Sequence, residues 1–103
     1  MDLDRVFDAL ASSPRRRILA WLSAEALTTS ELAARAGMSA PAVSRHLSVL
    51  ENAGLAASRR QGQRVLYSLV RDTLVDALSG FAAELSPAAL PKGSEIKVKR
   101  EAI

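Results

Sequence analysis

Cysteine is absent from this chain, and histidine occurs once, as His46. Without cysteine there is no disulfide, no thiolate metal site and no thiol redox switch. With a single histidine, a metal site would have to rest on carboxylates, which zinc does not favour. Aromatic residues are scarce, with one Trp, one Tyr and two Phe, yet 49% of residues are hydrophobic. The core is therefore expected to be built from Leu, Val and Ala. No apolar run approaches the roughly 20 residues that a membrane-spanning helix needs. The first ten residues, "MDLDRVFDAL", are acidic and amphipathic and lack a signal-peptide pattern. These absences lead to the expectation of a soluble, cytoplasmic protein with no membrane association and no cofactor or metal. An enzyme is not expected either. There is no Gly-rich phosphate loop and no paired-carboxylate site, and Ser44 is too near His46 in sequence to form a triad-like arrangement with it.

What the chain does have is an uneven distribution of charge. Its net charge is only +3, from 14 basic and 11 acidic residues. Between Ala33 and Arg71, however, Arg35, Arg45, Arg59, Arg60, Arg64 and Arg71 face a single acid, Glu51, whereas Asp2, Asp4 and Asp8 crowd the start. A basic region in an otherwise balanced molecule points to an anionic partner.

Length and pattern predict one small domain over residues 1–86 and a flexible C-terminal tail over 87–103. Leu3, Val6, Phe7 and Leu10 recur at i, i+3, i+4, i+7, which predicts an amphipathic helix. Ser13 is expected to cap a second helix, with Pro14 in its first position. Thr28 and Glu31 have capping-box spacing, and Gly37 supplies a left-handed stop. Ser39 then caps a helix that runs to about Ala53 and ends at Gly54. Two helices joined by so tight a turn predict a helix-turn-helix. After Gly54 the period changes to two. "LAASRRQGQRVLYSL" predicts a hairpin turning at Gly62, followed by a helix carrying Leu74, Val75, Leu78, Phe81, Ala82 and Leu85. The last residues, from Pro91, hold all three lysines. They fit a disordered tail or a late strand; their Pro/Gly start and terminal position favour the tail.

The helix after Ser39 buries Val43, Leu47 and Leu50. It leaves Ser39, Ala40, Ala42, Ser44, Arg45 and His46 elsewhere on its surface. Small residues let a helix lie deep in the major groove, serine bonds to several base edges, and arginine grips guanine or phosphate. A solvated, Ser-rich face is the bland alternative. The adjoining hairpin tip, with Arg59, Arg60, Gln61, Gln63 and Arg64, favours the nucleic-acid reading. His46 itself is read either as a DNA-backbone contact or as a structural bond at the edge of this helix. Of the consecutive Arg15, Arg16 and Arg17, Arg16 is the one assigned to DNA phosphate.

The stretch "TTSELAARAGMSAPAVSRHLSVLENAGLAASRRQGQRVLYSL" resembles the winged helix-turn-helix of ArsR-type bacterial repressors. "VSRHLSVLENAGL" followed by "RRQGQRVLYSL" carries the most specific part of that resemblance. "VFDALASSPRRRIL" is similar to the family's opening segment, with the Asp-Pro cap standing here as Ser13-Pro14, shifted by one residue. The resemblance implies an α-α-α-α-β-β-α winged helix-turn-helix that forms a homodimer. It further implies repression through a near-palindromic operator on double-stranded DNA, with autoregulation as one outcome. Sensor sites of the family use cysteines on the first helix of the motif, or Asp and His on the last helix. Neither set is complete here, since Asp72, Asp76 and Glu84 have no histidine beside them. The chain thus looks more like the SdpR-type branch, which lacks these sites, and an inducer is not identified. The two terminal stripes, Leu3/Val6/Phe7/Leu10 and Leu74/Leu78/Phe81/Leu85, are expected to pair across the dimer axis. The competing reading is a winged-helix protein-interaction module that does not bind DNA sequence-specifically.

Overall fold

The computed structural model describes residues 2–86 and residue 88. The expected tail, 87–103, lies outside the described residues apart from that one position. The element order is α1 (Leu3–Leu10), α2 (Ser13–Ala24), α3 (Thr29–Ala36), α4 (Ala40–Asn52), β1 (Ala56–Gln61), β2 (Arg64–Leu69) and α5 (Arg71–Glu84).

Local chemistry sets most of these boundaries. Asp2 caps α1 by accepting from the Arg5 amide. α2 begins one residue earlier than the sequence pattern indicates. Ser12, not Ser13, is the cap and accepts from the Arg15 amide, and Pro14 sits in the first turn. In α3 the capping box is complete. The Thr28 hydroxyl accepts from the Glu31 amide at 3.2 Å, and Glu31 Oε1 accepts from the Thr28 amide at 2.9 Å. Gly37 ends α3 at φ 65°, a conformation that side chains with a Cβ rarely adopt. Ser39 then caps α4 through the Ala42 amide, with Pro41 in the first turn.

The hairpin pairs Ala56 with Leu69 through to Gln61 with Arg64 in antiparallel register. Gly62 takes φ 64° at the first turn position while Gln63 stays at negative φ, the pattern of a type II′ turn. A short third edge joins this ribbon. The Leu27 amide donates to the Tyr67 carbonyl at 3.0 Å, and the Tyr67 amide donates to the Leu27 carbonyl at 2.8 Å. The α2–α3 connection is thereby stitched to the wing. The Val70 amide bonds to the Leu55 carbonyl at 2.9 Å, tying the far end of the hairpin to the end of α4.

The core is aliphatic, as composition requires. Ile18, Leu27, Leu32, Val43, Leu47, Leu50 and Leu55 are fully buried, together with Val6 and Ala9 of α1. Val6 therefore belongs to the chain's own core and not to an open pairing stripe. Leu3, Leu10 and Leu74 are half-buried against that core. On α5 only Ala77 is fully enclosed. Leu78 is 45% exposed, Phe81 39% and Leu85 63%, although Phe81 meets Phe7 edge-to-face at 5.3 Å. The far half of α5 runs beside α1, where Gly80, Phe81 and Glu84 share a cleft with Leu3. Among the described residues no helix is long and apolar enough to cross a membrane.

Candidate nucleic-acid interface

The helix α4 is anchored by Val43, Leu47 and Leu50 at a spacing that places all three on one face. Geometry then leaves Ser39, Ala40, Ser44 and Arg45 exposed, with Ala42 half-buried. The Ser39 hydroxyl is engaged as the cap, but a hydroxyl that accepts one bond still has a proton to donate. Arg45 has no ion-pair partner among the described residues.

His46 is half-buried and bonded within the protein. Arg15 Nη1 lies 3.4 Å from its Nδ1. A guanidinium only donates, so Nδ1 accepts and the ring proton resides on Nε2. Burial first, then the positive charges of Arg15 and Arg45, hold the imidazole below its ordinary value, so the ring is neutral at pH 7. Of the two readings of His46 left open by the sequence, the structural bond is the one with a visible partner. Arg15 is itself fixed by α1, with Nε on the Ala9 carbonyl at 2.8 Å and Nη2 on the Asp8 carbonyl at 3.1 Å. It caps the unsatisfied end of α1 and links that end to α4.

The other two arginines of that run are also accounted for. Arg16 Nη1 donates to the Leu10 carbonyl at 2.7 Å. That bond holds Arg16 against the end of α1 while its side chain stays exposed. The Arg17 guanidinium lies over the Trp21 ring, 5.4 Å from its centre.

The hairpin distributes its arginines unevenly. Directly paired residues share a face of a two-stranded ribbon, and successive residues alternate. Arg59 therefore shares a face with Leu66, Gln61 and Arg64, whereas Arg60 shares the opposite face with Val65. Arg59, Arg60, Gln61, Gln63 and Arg64 are all exposed. Arg64 is not without an acidic neighbour, as the sequence interval implied. Its Nη2 donates to Glu31 Oε1 at 3.1 Å, on the same oxygen that closes the capping box of α3. Bonds from Thr28, and then the charge of Arg64, lower the pKa of the Glu31 carboxyl. The wing is thus pinned to the start of α3 by a carboxylate 33 residues away in sequence. This partner, the Leu27–Tyr67 stitch and the Arg15–His46 bond are what sequence reasoning missed. Each is non-local, and none leaves a periodic signal. Among the described residues no group of three or more His, Cys, Asp or Glu is placed to hold a metal ion.

A helix-turn-helix followed by a two-stranded ribbon, with a terminal helix on either side, defines a winged helix-turn-helix protein. Comparison with known proteins agrees. The family "Bacterial regulatory protein, arsR family" matches residues 12–58. The chain is 32% identical over 77 residues to the transcriptional repressor SdpR of Bacillus subtilis (strain 168), spanning 75% of this chain and 86% of that protein. An ArsR-like transcriptional regulator from Rhodococcus sp. RHA1 superposes with a TM-score of 0.72 at 32% identity, covering 80% of each chain. The homodimeric winged helix-turn-helix DNA-binding domain of Mb0332 from Mycobacterium bovis, solved by solution NMR, superposes with a TM-score of 0.67 at 29% identity. That match covers 80% of this chain and 79% of that one. The chain belongs to the arsR family of bacterial regulatory proteins, and it is a transcriptional regulator, not an enzyme.

Proposed function

We propose that the chain acts in the cytoplasm as a homodimeric repressor on a near-palindromic operator, with α4 in the major groove and the wing on the flanking backbone. One surface carries this reading. Exposed Ser39, Ala40, Ser44 and Arg45 on α4 stand in a molecule whose wing adds Arg59 and Arg60, and none of these three arginines is paired to a carboxylate among the described residues. Small Ala40 and Ala42 permit close approach, Ser44 and Arg45 reach base edges, and Ser39 and His46 lie beside the backbone. Arg59, Arg60, Gln61 and Gln63 meet phosphates, and Arg64 joins them by exchanging Glu31 for phosphate.

Dimerisation supplies the second half-site, about 34 Å away along the duplex. The exposed Leu78, Phe81 and Leu85, together with Leu3 and Phe7, form the pairing surface. The homodimeric Mycobacterium bovis relative and the repressor named in Bacillus subtilis support this assembly and its sign of regulation. Autoregulation makes the DNA upstream of the chain's own gene the first operator to test. A gel shift on that duplex and on a scrambled one, at two salt concentrations, is expected to show a preference for the native duplex that survives the higher salt. Equal affinity for both would overturn sequence-specific recognition of that duplex and favour the protein-interaction reading.

A further inference from the structure

A cavity of about 290 Å³ opens where α1, α2, the end of β2 and the start of α5 converge. Leu10, Leu19, Ala20, Leu69 and Leu74 supply its apolar wall, Ser23 adds a hydroxyl, and Arg16 and Arg71 complete the lining. No acid lines it. Its size lies at the lower edge of small-molecule sites, so the occupant is small. Two other clefts of similar size differ in character. The one between α1 and α4 contains both Arg5 and Asp8, and the one between α3 and the wing is lined largely by Thr28, Thr29, Ser30, Gln63 and Arg64. Among the described residues, the α2–α5 cavity sets a wall of four leucines beside two arginines, whereas the cleft beside Leu3 and Phe81 carries Asp76 and Glu84.

That combination selects a ligand. An aliphatic wall takes a hydrocarbon body, and a guanidinium takes a carboxylate through charge-assisted, fork-shaped bonds. Arg16 is positioned by its 2.7 Å bond to the Leu10 carbonyl, which leaves its remaining N–H groups to an anion. Arg71 has no ion pair among the described residues. We propose that this cavity binds a small apolar carboxylate and that its occupancy shifts α5 on the domain, changing operator affinity. The second half follows from the seating of α5, where a small residue, Ala77, is the one fully buried, so a molecule wedged beside Leu74 acts on a helix held by little packing. The site does not depend on the DNA reading; its regulatory role rests on it.

The test uses the full chain, isotopically labelled for NMR, titrated with octanoate and with uncharged octanamide. Octanoate is expected to shift the amides of Leu10, Ser23, Leu69 and Leu74 and to saturate below about 1 mM, with octanamide weaker by about tenfold. Arg71→Gln should reduce octanoate to the level of octanamide, and Ala20→Leu, which fills the cavity from α2, should abolish both. The dispersion of each variant's spectrum reports whether it folds, and should Ala20→Leu not fold, the Arg71 variant decides. Absence of saturation, equal binding of acid and amide, or shifts centred on Val49 and Asn52 would overturn the site. Operator affinity is then measured with and without octanoate. Binding of octanoate with unchanged operator affinity removes the regulatory role. Failure to bind operator under either condition removes the DNA reading and that role with it, while the NMR result still stands for the cavity.

Discussion

The helix-turn-helix and its wing bury their large apolar side chains within the chain, whereas α5 carries Val75, Leu78, Phe81 and Leu85 into the open. The two regions are similarly apolar in sequence, so composition does not separate them. The difference lies in neighbours. Leu32, Val43, Leu47 and Leu50 are enclosed by helices held at both ends by caps and turns. By contrast, Val70 at the start of α5 makes no side-chain capping bond, and Ala77 is the one residue of that helix that is fully enclosed. One region is complete as a monomer. The other has the character of half an interface.

The strongest way to break this contrast is to truncate one side chain from each region. Leu50 is fully buried, so Leu50→Ala should cost about 2–5 kcal/mol, from the packing removed and the cavity left behind. Leu85→Ala should cost less than about 0.5 kcal/mol in dilute protein, as for other exposed positions. Urea midpoints at low concentration measure both, and equal losses would erase the distinction. Next in size is the effect on DNA. Arg45→Ala should cost roughly 1–3 kcal/mol on the operator and less on scrambled duplex. Arg60→Ala should weaken both alike and flatten the salt dependence by about one unit of slope for each phosphate no longer neutralised. Paired salt titrations check this, and the reverse pattern would exchange the roles of helix and wing.

The interface half of the comparison is sharpened by Phe81→Asp. Sedimentation should show monomers at concentrations where the wild type is dimeric, and operator affinity should fall by at least about tenfold, near 1.4 kcal/mol. Because Phe81 also touches Phe7, Leu85→Asp repeats the test away from that aromatic pair. A wild type that sediments as a monomer at micromolar concentration would remove the pairing surface altogether. The smallest effect concerns the bond between α1 and α4. The folded-state pKa of His46 is lowered, so the unfolded chain binds its proton more readily. Its contribution to stability is therefore full above the ordinary histidine value of 6.5 and declines as pH falls through the folded value. Urea midpoints of wild type and His46→Gln should differ most above pH 6.5 and draw together as the pH falls below it. A gap that widens in acid would reverse the sign.

Much of the fold was legible because its signals are local. Thr28 with Glu31, Gly37, Ser39 and Gly62 each fix the chain over three or four residues, and each acts where the spacing placed it. The cap of α2 was misplaced by one residue because Ser12 and Ser13 offer the same hydroxyl, and only backbone geometry chooses between them. Ala9 and Ala77 went unrecognised as core positions because alanine carries too little apolar weight to mark a stripe. Val6 was assigned to an interface because periodicity identifies an apolar face but not which surface covers it. At the candidate interface, exposure on α4 followed from the buried stripe. The partners of Arg15, Arg16 and Arg64 did not, since a guanidinium on a long stem finds carbonyls and carboxylates that no spacing rule specifies.

The two hydrogen bonds between Leu27 and Tyr67 have a further consequence. They join the wing, through backbone groups that no DNA contact displaces, to the segment that leads into α3. The placement of the ribbon against the helix-turn-helix is thus set within the folded chain. A protein held in this way behaves as a caliper. Duplexes whose grooves already match its opening are gripped without distortion, and stiffer or wider ones must deform at an energetic cost that depends on their sequence. Base pairs that no side chain touches would then contribute to selectivity through their shape alone.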